Sequence, residues 1–239
     1  LTAYSVDASI YKIPPQVVVL PADEADIDVV VEYAVSRGIA LTPRAAGTNL
    51  TGSAIGAGII VDISKMNRLL EVNSEEEWAR IQPGVVLTEL NKMLGPTRLM
   101  FGPDPSSGDM CKLGGMLANN SSGPHTLRYG SVKENVHRLR IKLLTEGWLD
   151  AQPVAQTSPH FVDLLEQYQS LKTVRDIVQQ HQELIENKRP RVSKNSSGYN
   201  VFDLQEGMAG GIFDLPKLFV GSEGCLLYTS PSPETVLDL

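Results

Sequence analysis

Cysteine is scarce in this chain, with only two among 239 residues. Cys111 and Cys225 show no metal-ligand spacing and suggest no disulfide framework. Positive charge is also in short supply. Against 28 Asp and Glu there are 21 Lys and Arg, and the resulting −7 offers no basic field to draw a nucleic-acid backbone. An anionic ligand would have to be held by local donors instead. No apolar run approaches the length of a membrane span, no signal peptide is recognisable, and no repeat or low-complexity segment occurs. An opening Leu1 in place of Met is expected of a fragment. A reducing, cytoplasmic setting is the default expectation. What remains is an ordinary globular composition, 42% hydrophobic and 21% charged, long enough for one large or two small lobes with a real core.

The β-branched run Val17–Leu20, closed by Pro21, reads as a strand. Residues 23–37 read as a helix capped by Asp23 and ended by Gly38, with apolar positions at Ala25, Ile27, Val30, Val31 and Ala34. With a strand at 39–42 this is a βαβ unit, for which a right-handed crossover is expected. Strands are predicted at 59–63, 68–73 and 78–82, then a helix over 87–94. Residues 95–110, dense in Pro, Gly, Ser and Asp, read as a boundary carrying a functional loop. A second lobe follows, with a helix-like turn at 113–118, a strand at 136–144, and one long or two consecutive helices over 159–187 started by Ser158 and Pro159. His160 and His181 fall on that helical pattern and read as surface or packing residues; His125 and His137 are left without a chemical role.

Four segments stand out for their chemistry. The first is Pro43-Arg44-Ala45-Ala46-Gly47-Thr48-Asn49-Leu50-Thr51-Gly52, a loop of small and hydroxyl residues between two strands. Here backbone N–H groups can converge on an anion, Thr48, Asn49 and Thr51 add short donors, and Arg44 can add charge. A bare connection is the alternative, and neither P-loop nor GxGxxG spacing is present. The second segment, Phe101-Gly102-Pro103-Asp104-Pro105-Ser106-Ser107-Gly108, offers Asp104 and Ser106 in a frame fixed by two prolines, or is simply a turn. The third runs from Leu113-Gly114-Gly115 to Asn120-Ser121-Ser122-Gly123, followed by Tyr129-Gly130; its paired glycines open a helix-like turn whose first N–H groups would be free. The fourth is Gly221-Ser222-Glu223-Gly224.

In this order, and together with Val17–Pro21 and Asn195–Tyr199, the segments resemble the FAD-binding domain of the vanillyl-alcohol oxidase/p-cresol methylhydroxylase superfamily. Within it the chain is most similar to FAD-linked oxidases of D-2-hydroxy acids: glycolate oxidase flavin subunits, D-lactate dehydrogenases and D-2-hydroxyglutarate dehydrogenases. The resemblance implies an α+β fold made of two α/β subdomains, 1–100 and 101–224, with FAD between them. It implies that the loop from Pro43 to Gly52 holds the pyrophosphate. The stretches Pro103–Ser106 and Leu113–Gly123 would line the pyrophosphate, ribityl and ring parts, with Tyr129, Glu223 and Gly224 near the cofactor. It further implies a hydroxy-acid substrate and an electron acceptor of iron–sulfur, quinone or cytochrome type. Substrate-binding arginines, and any metal and catalytic His, would lie in a cap domain further along. No catalytic or metal-binding residue is therefore assigned, and this chain alone is expected to bind FAD weakly and not to turn over substrate. The full-length protein could sit peripherally at the inner membrane.

Departures from the family pattern sharpen these expectations. Ala45 replaces the usual second Gly of the first loop and would be poorly suited to a positive φ. Lys112 stands where Thr is common, and Ser121 and Ser122 where Ala and Gly are frequent. Thr48 and Asn49 follow Gly47 where some relatives carry a tethering His, so non-covalent FAD is expected. Beyond Gly224, the stretch Cys225–Pro233 with its Ser-Pro-Ser-Pro run departs from the strand expected there and resembles translated adaptor read-through, whereas 234–239 again reads as a strand. Two alternatives stay open: another FAD-linked oxidase or synthase of the superfamily, and a non-catalytic nucleotide-binding module.

Overall fold

The structure, a computed structural model, describes residues 1–192, 195–196, 198–223 and 235–238. The anomalous stretch Cys225–Pro233 and Gly224 lie outside the described residues.

The first sheet is assembled from β1 (Val17–Val19), β2 (Leu41–Arg44) and β3 (Ile59–Asp62), with α1 (Glu24–Arg37) linking the first two. All pairings are parallel and the order is β1-β3-β2. β3 lies in the centre, buried at every position, which is why Ile59-Ile60-Val61 reads as an unbroken apolar run. Asp23 caps α1 by accepting from the Asp26 N–H, and Ile27, Val31 and Ala34 turn one face inward at helical spacing. These residues, with Leu41, Ile59, Val61 and Met66, form a small core. The second strand starts and ends later than the 39–42 expected and takes in Pro43 and Arg44. A proline cannot donate to a ladder, but β2 is an edge strand, where the missing N–H costs nothing.

Next come β4 (Leu69–Asn73), β5 (Trp78–Ile81), α2 (Leu87–Leu94), α3 (Leu113–Ala118), α4 (Thr126–Tyr129), β6 (Val136–Leu143), β7 (Gly147–Ala151) and β8 (Pro153–Ala155). The chain continues through α5 (Pro159–Gln167), α6 (Gln169–Gln180), α7 (Gln182–Lys188), α8 (Val201–Ala209), β9 (Ile212–Asp214), α9 (Leu215–Phe219) and β10 (Thr235–Asp238). β4, β5, β10, β6 and β7 make a five-stranded antiparallel sheet in that order, so the last strand of the chain sits at its middle. β8 and β9 form a separate two-stranded pair. The larger core joins Ala79, Ile81 and Ile141 of the sheet to Leu90 of α2, Leu113 of α3, and Phe161 and Leu171 of α5 and α6.

The apolar periodicity over 159–187 is carried by three helices rather than one or two. They break at Tyr168 (φ −117°, ψ 96°) and His181 (φ −113°, ψ 25°). Tyr168 leaves the helical region while its ring is buried and its hydroxyl donates to the Trp148 carbonyl at 2.6 Å. A single non-helical residue barely shifts the apolar stripe, so the pattern carries no trace of the break.

Candidate functional site

The first loop is held in shape by its own side chains and by the N-terminal segment. Asn49 Oδ1 accepts from Thr51 N–H at 2.7 Å, Thr51 Oγ1 at 2.8 Å and Ser53 N–H at 3.2 Å, so its oxygen is spent on the turn. Arg44 leaves β2 and folds back. Its Nη1 donates to the carbonyls of Val6 at 2.9 Å and Ala54 at 3.2 Å, and its guanidinium stacks 5.3 Å from the Tyr4 ring centroid. Arg44 is therefore a clamp across the loop rather than the loose charge expected from the sequence. The Ala8 N–H takes the Gly47 carbonyl at 3.1 Å. Ala45 is not among the positive-φ residues, so the Ala-for-Gly replacement brings no backbone strain.

Beneath the loop lies a buried polar network. Asp62, at the end of β3, is 6% exposed. Its Oδ2 accepts from Tyr4 Oη at 2.7 Å, and its Oδ1 from the Ser64 N–H at 2.9 Å and from Ser64 Oγ. Lys112 reaches the same place from the other side. Its Nζ donates to the Ala45 carbonyl at 3.1 Å and to Ser64 Oγ at 2.5 Å, and lies 3.8 Å from Asp62 Oδ1. Burial pulls the Lys112 pKa below its ordinary value; the Asp62 charge opposes this and the Arg44 charge adds to it.

The third segment folds as the short helix α3. The sequence suggested that its opening amides would be free, but the first two are engaged. Leu113 N–H donates to Val85 O and Gly114 N–H to Pro83 O, both at 2.9 Å. At its far end, the amides of Gly221 and Glu223 donate to the carbonyls of Leu117 at 2.9 Å and Ala118 at 2.8 Å, satisfying acceptors that a helix end leaves open. Asn120 and Glu223 both adopt positive φ at this junction, 45° and 53°. Asn120 is buried, and its Oδ1 accepts from Ser131 Oγ at 2.9 Å and Lys133 N–H at 3.0 Å. The second segment is clasped to the stretch after α3. Asp104 Oδ1 accepts from the His125 N–H at 3.2 Å and Oδ2 lies 2.7 Å from His125 Nδ1.

These elements enclose a cleft with about 810 Å³ of empty space continuous with solvent. Pro43, Arg44, Ala45, Ala46, Gly47, Thr48 and Asn49 line one side; Gly114, Gly115 and Ser121 line the other, and Glu223 joins them. The two sides come close where a Cβ on Gly115 would stand 3.0 Å from that of Ala45. Gly52 is outside the lining and packs against Tyr11. Pro103, Asp104, Pro105 and Ser106 are also outside it, and Ser107 is the residue of that segment that reaches the cleft. Asn120, Gly123 and Tyr129 stand behind the lining in supporting contacts. Asn195 lines a different pocket, with Gly130, Ser131 and Arg189. Asn119, within the Leu113–Gly123 stretch, also lines the cleft, as do Ser53, Ser107 and Lys112, which lie outside the stretches that the resemblance implies for the cofactor. Lys112 was visible as a departure from the family pattern, whereas nothing in the sequence distinguished Ser53 and Ser107 from turn residues. Among the described residues no cluster of three metal-ligating side chains occurs, and no helix is long and apolar enough to cross a membrane.

A family model described as an FAD binding domain matches residues 15–149. The D-2-hydroxyglutarate dehydrogenase of Pantoea ananatis (strain AJ13355) is 35% identical over 240 residues, covering 95% of this chain and 23% of that protein. Glycolate oxidase subunit GlcD of Escherichia coli (strain K12) is 31% identical over 159 residues, 66% of this chain and 32% of the relative. Among solved structures, an alkyldihydroxyacetonephosphate synthase superimposes with a TM-score of 0.61 at 22% identity, over 92% of this chain and 31% of the other, a likeness of fold. The chain spans about a quarter of the length of the D-2-hydroxyglutarate dehydrogenases it matches.

Proposed function

This chain belongs to the FAD binding domain family, FAD is its cofactor, and we propose that it is the cofactor-holding part of a flavoenzyme that oxidises a D-2-hydroxy acid. The observation that carries the reading is the convergence on one cleft of 43–49, Glu223, and Lys112, Gly114, Gly115, Asn119 and Ser121 from the third segment and its approach. Its donor set suits a diphosphate: short hydroxyls and amides at Thr48, Ser53, Ser107, Asn119 and Ser121, an ammonium at Lys112, and a backbone unscreened by bulky side chains. Ala45–Thr48 would hold the phosphates through backbone N–H groups, facing Gly115 and Ser121, with Glu223 at the rim. The first loop holds Thr48 and Asn49 after Gly47 and no His, which supports a cofactor held without a covalent bond. Bound FAD supplies the acceptor for a hydride equivalent from the α-carbon of the acid. The residues of this chain orient that cofactor and, through the clasped second and third segments, fix one wall beside it. The acid itself, of the hydroxyglutarate, lactate or glycolate type, is proposed from the named relatives, and its carboxylate would be met by residues beyond this chain.

The test is anaerobic reduction of the flavin in the longer protein. D-2-hydroxyglutarate, its L enantiomer, D-lactate and glycolate are each added while flavin absorbance is followed. Bleaching by a D-acid, with the L enantiomer inert, is expected. Failure of every hydroxy acid to bleach a fully loaded flavin would overturn the substrate assignment, and failure to take up FAD would overturn the cofactor reading.

A further inference from the structure

We propose that Lys112 is the cation that seats the diphosphate of the cofactor, one N–H fixing the Ala45 carbonyl, a second holding Ser64 Oγ, and the third meeting a phosphate oxygen. This rests on the reading that the cleft receives the diphosphate of FAD.

Only two cationic side chains, Arg44 and Lys112, line the cleft among the described residues. Arg44 is committed elsewhere, to the carbonyls of Val6 and Ala54 and to the ring of Tyr4. Lys112 has capacity to spare, because an ammonium carries three donors and two of them are engaged. Asp62 does not claim the third. Its oxygens are served by Tyr4 and Ser64, and its nearest approach to Nζ is 3.8 Å, beyond hydrogen-bond distance. At that distance the carboxylate still offsets the cost of burying the ammonium, so the charge is kept at the cleft floor without being quenched by direct contact.

The same ammonium shapes the loop. It draws the Ala45 carbonyl towards itself, and in a trans peptide the following Ala46 N–H then points the opposite way. The Gly47 carbonyl is likewise taken by Ala8, so the Thr48 N–H points away from the N-terminal segment. Acceptor oxygens that would repel a phosphate are thus occupied by donors on either side of Gly47. In a chain of net charge −7, a doubly charged diphosphate needs such a local cation, since the overall field opposes its approach.

The experiment uses the full chain and its Lys112→Met and Lys112→Arg variants, each titrated with FAD and with riboflavin at low and high salt by flavin fluorescence. Riboflavin carries the same ring system without phosphate. Loss of a charge-assisted bond should weaken FAD binding by Lys112→Met roughly tenfold or more while riboflavin binding stays unchanged, and Lys112→Arg should retain most of the FAD preference. In the wild type, FAD affinity should fall with salt and riboflavin affinity should not. Equal salt dependence for the two flavins in the wild type would overturn the proposal without recourse to any variant. So would a Lys112→Met protein that binds FAD as tightly as the wild type, or one that loses both flavins in the same proportion. A wild-type chain that binds riboflavin but gains nothing from the diphosphate would remove the reading of the cleft on which the proposal stands.

Discussion

The guanidinium of Arg44 occupies the space into which a side chain at position 47 would grow: a Cβ on Gly47 would stand 2.8 Å from Arg44 Cζ and closer still to Nη2. Gly47 also has φ +70°, a region L residues enter at a cost. Gly47→Ala should therefore destabilise the chain by at least about 1 kcal/mol through the backbone, with a further loss as Arg44 is pushed off Val6 and Ala54. A lower urea midpoint together with weaker FAD binding is expected. An unchanged midpoint and affinity would show that the clamp does not set the loop.

Tyr4 links the N-terminal segment to the cleft floor through Asp62. Tyr4→Phe should cost about 0.5–1.5 kcal/mol at neutral pH. The Tyr4 pKa is raised above its ordinary 10.0, first by the hydrogen bond to Asp62, then by burial and the Asp62 charge, with Arg44 acting in the opposite direction. A raised folded-state value means the contribution is complete below pH 10.0 and is lost as pH rises through the folded value. The difference in urea stability between wild type and variant should accordingly shrink in strong alkali. A gap that widens there would contradict the assignment.

Asp203 on α8 accepts from Lys133 Nζ and from Asn200 Nδ2, both at 2.7 Å. Burial pushes its pKa up, but these two bonds and the charges of Lys133 and Lys217 outweigh that, leaving it below the ordinary 3.8. Its stabilisation is present above pH 3.8 and fades as pH falls through the lower folded value. Asp203→Asn should be less stable at neutral pH by about 1.5–3 kcal/mol, and it should lose less than the wild type on acidification. Urea midpoints compared at neutral and acid pH give the test.

Gly123 lies directly against Asp104: a Cβ there would come 2.5 Å from Oδ1 and nearer to the carbonyl oxygen. Gly123→Ala should force the second segment off the third, break the contacts between Asp104 and His125, and cost about 1–3 kcal/mol. Limited proteolysis should then open residues 101–130, which the wild type protects. Equal protection in both proteins would mean that the clasp relaxes without opening.

Local chemistry made much of the fold legible. The Asp23 cap, the spacing of Ile27, Val31 and Ala34, and the buried run at β3 are each decided within a few residues of chain. The end of β2 was not legible, because tolerance of Pro43 depends on the strand lying at a sheet edge. Nor was the break at Tyr168, which is tied to a carbonyl 20 residues away. The same division runs through the site. The small residues of 43–49 announced a backbone that a ligand could approach, but Arg44 read as an available charge until its partners at Val6 and Tyr4 were in place.

By itself the sequence determined that an anion would have to be met by local donors, because net charge is a property of the chain, and it offered four segments rich in small residues in which to look for them. The tertiary structure decided which donors are left over. Pairing with Val6 and Ala54 removed Arg44, the 83–85 turn took the first amides of α3, and packing of Lys112 against Ala45, Ser64 and Asp62 brought an ammonium from far along the chain to the floor of the cleft. A hydrogen-bonding group has a fixed number of donors, and only the folded arrangement determines which of them are already spent.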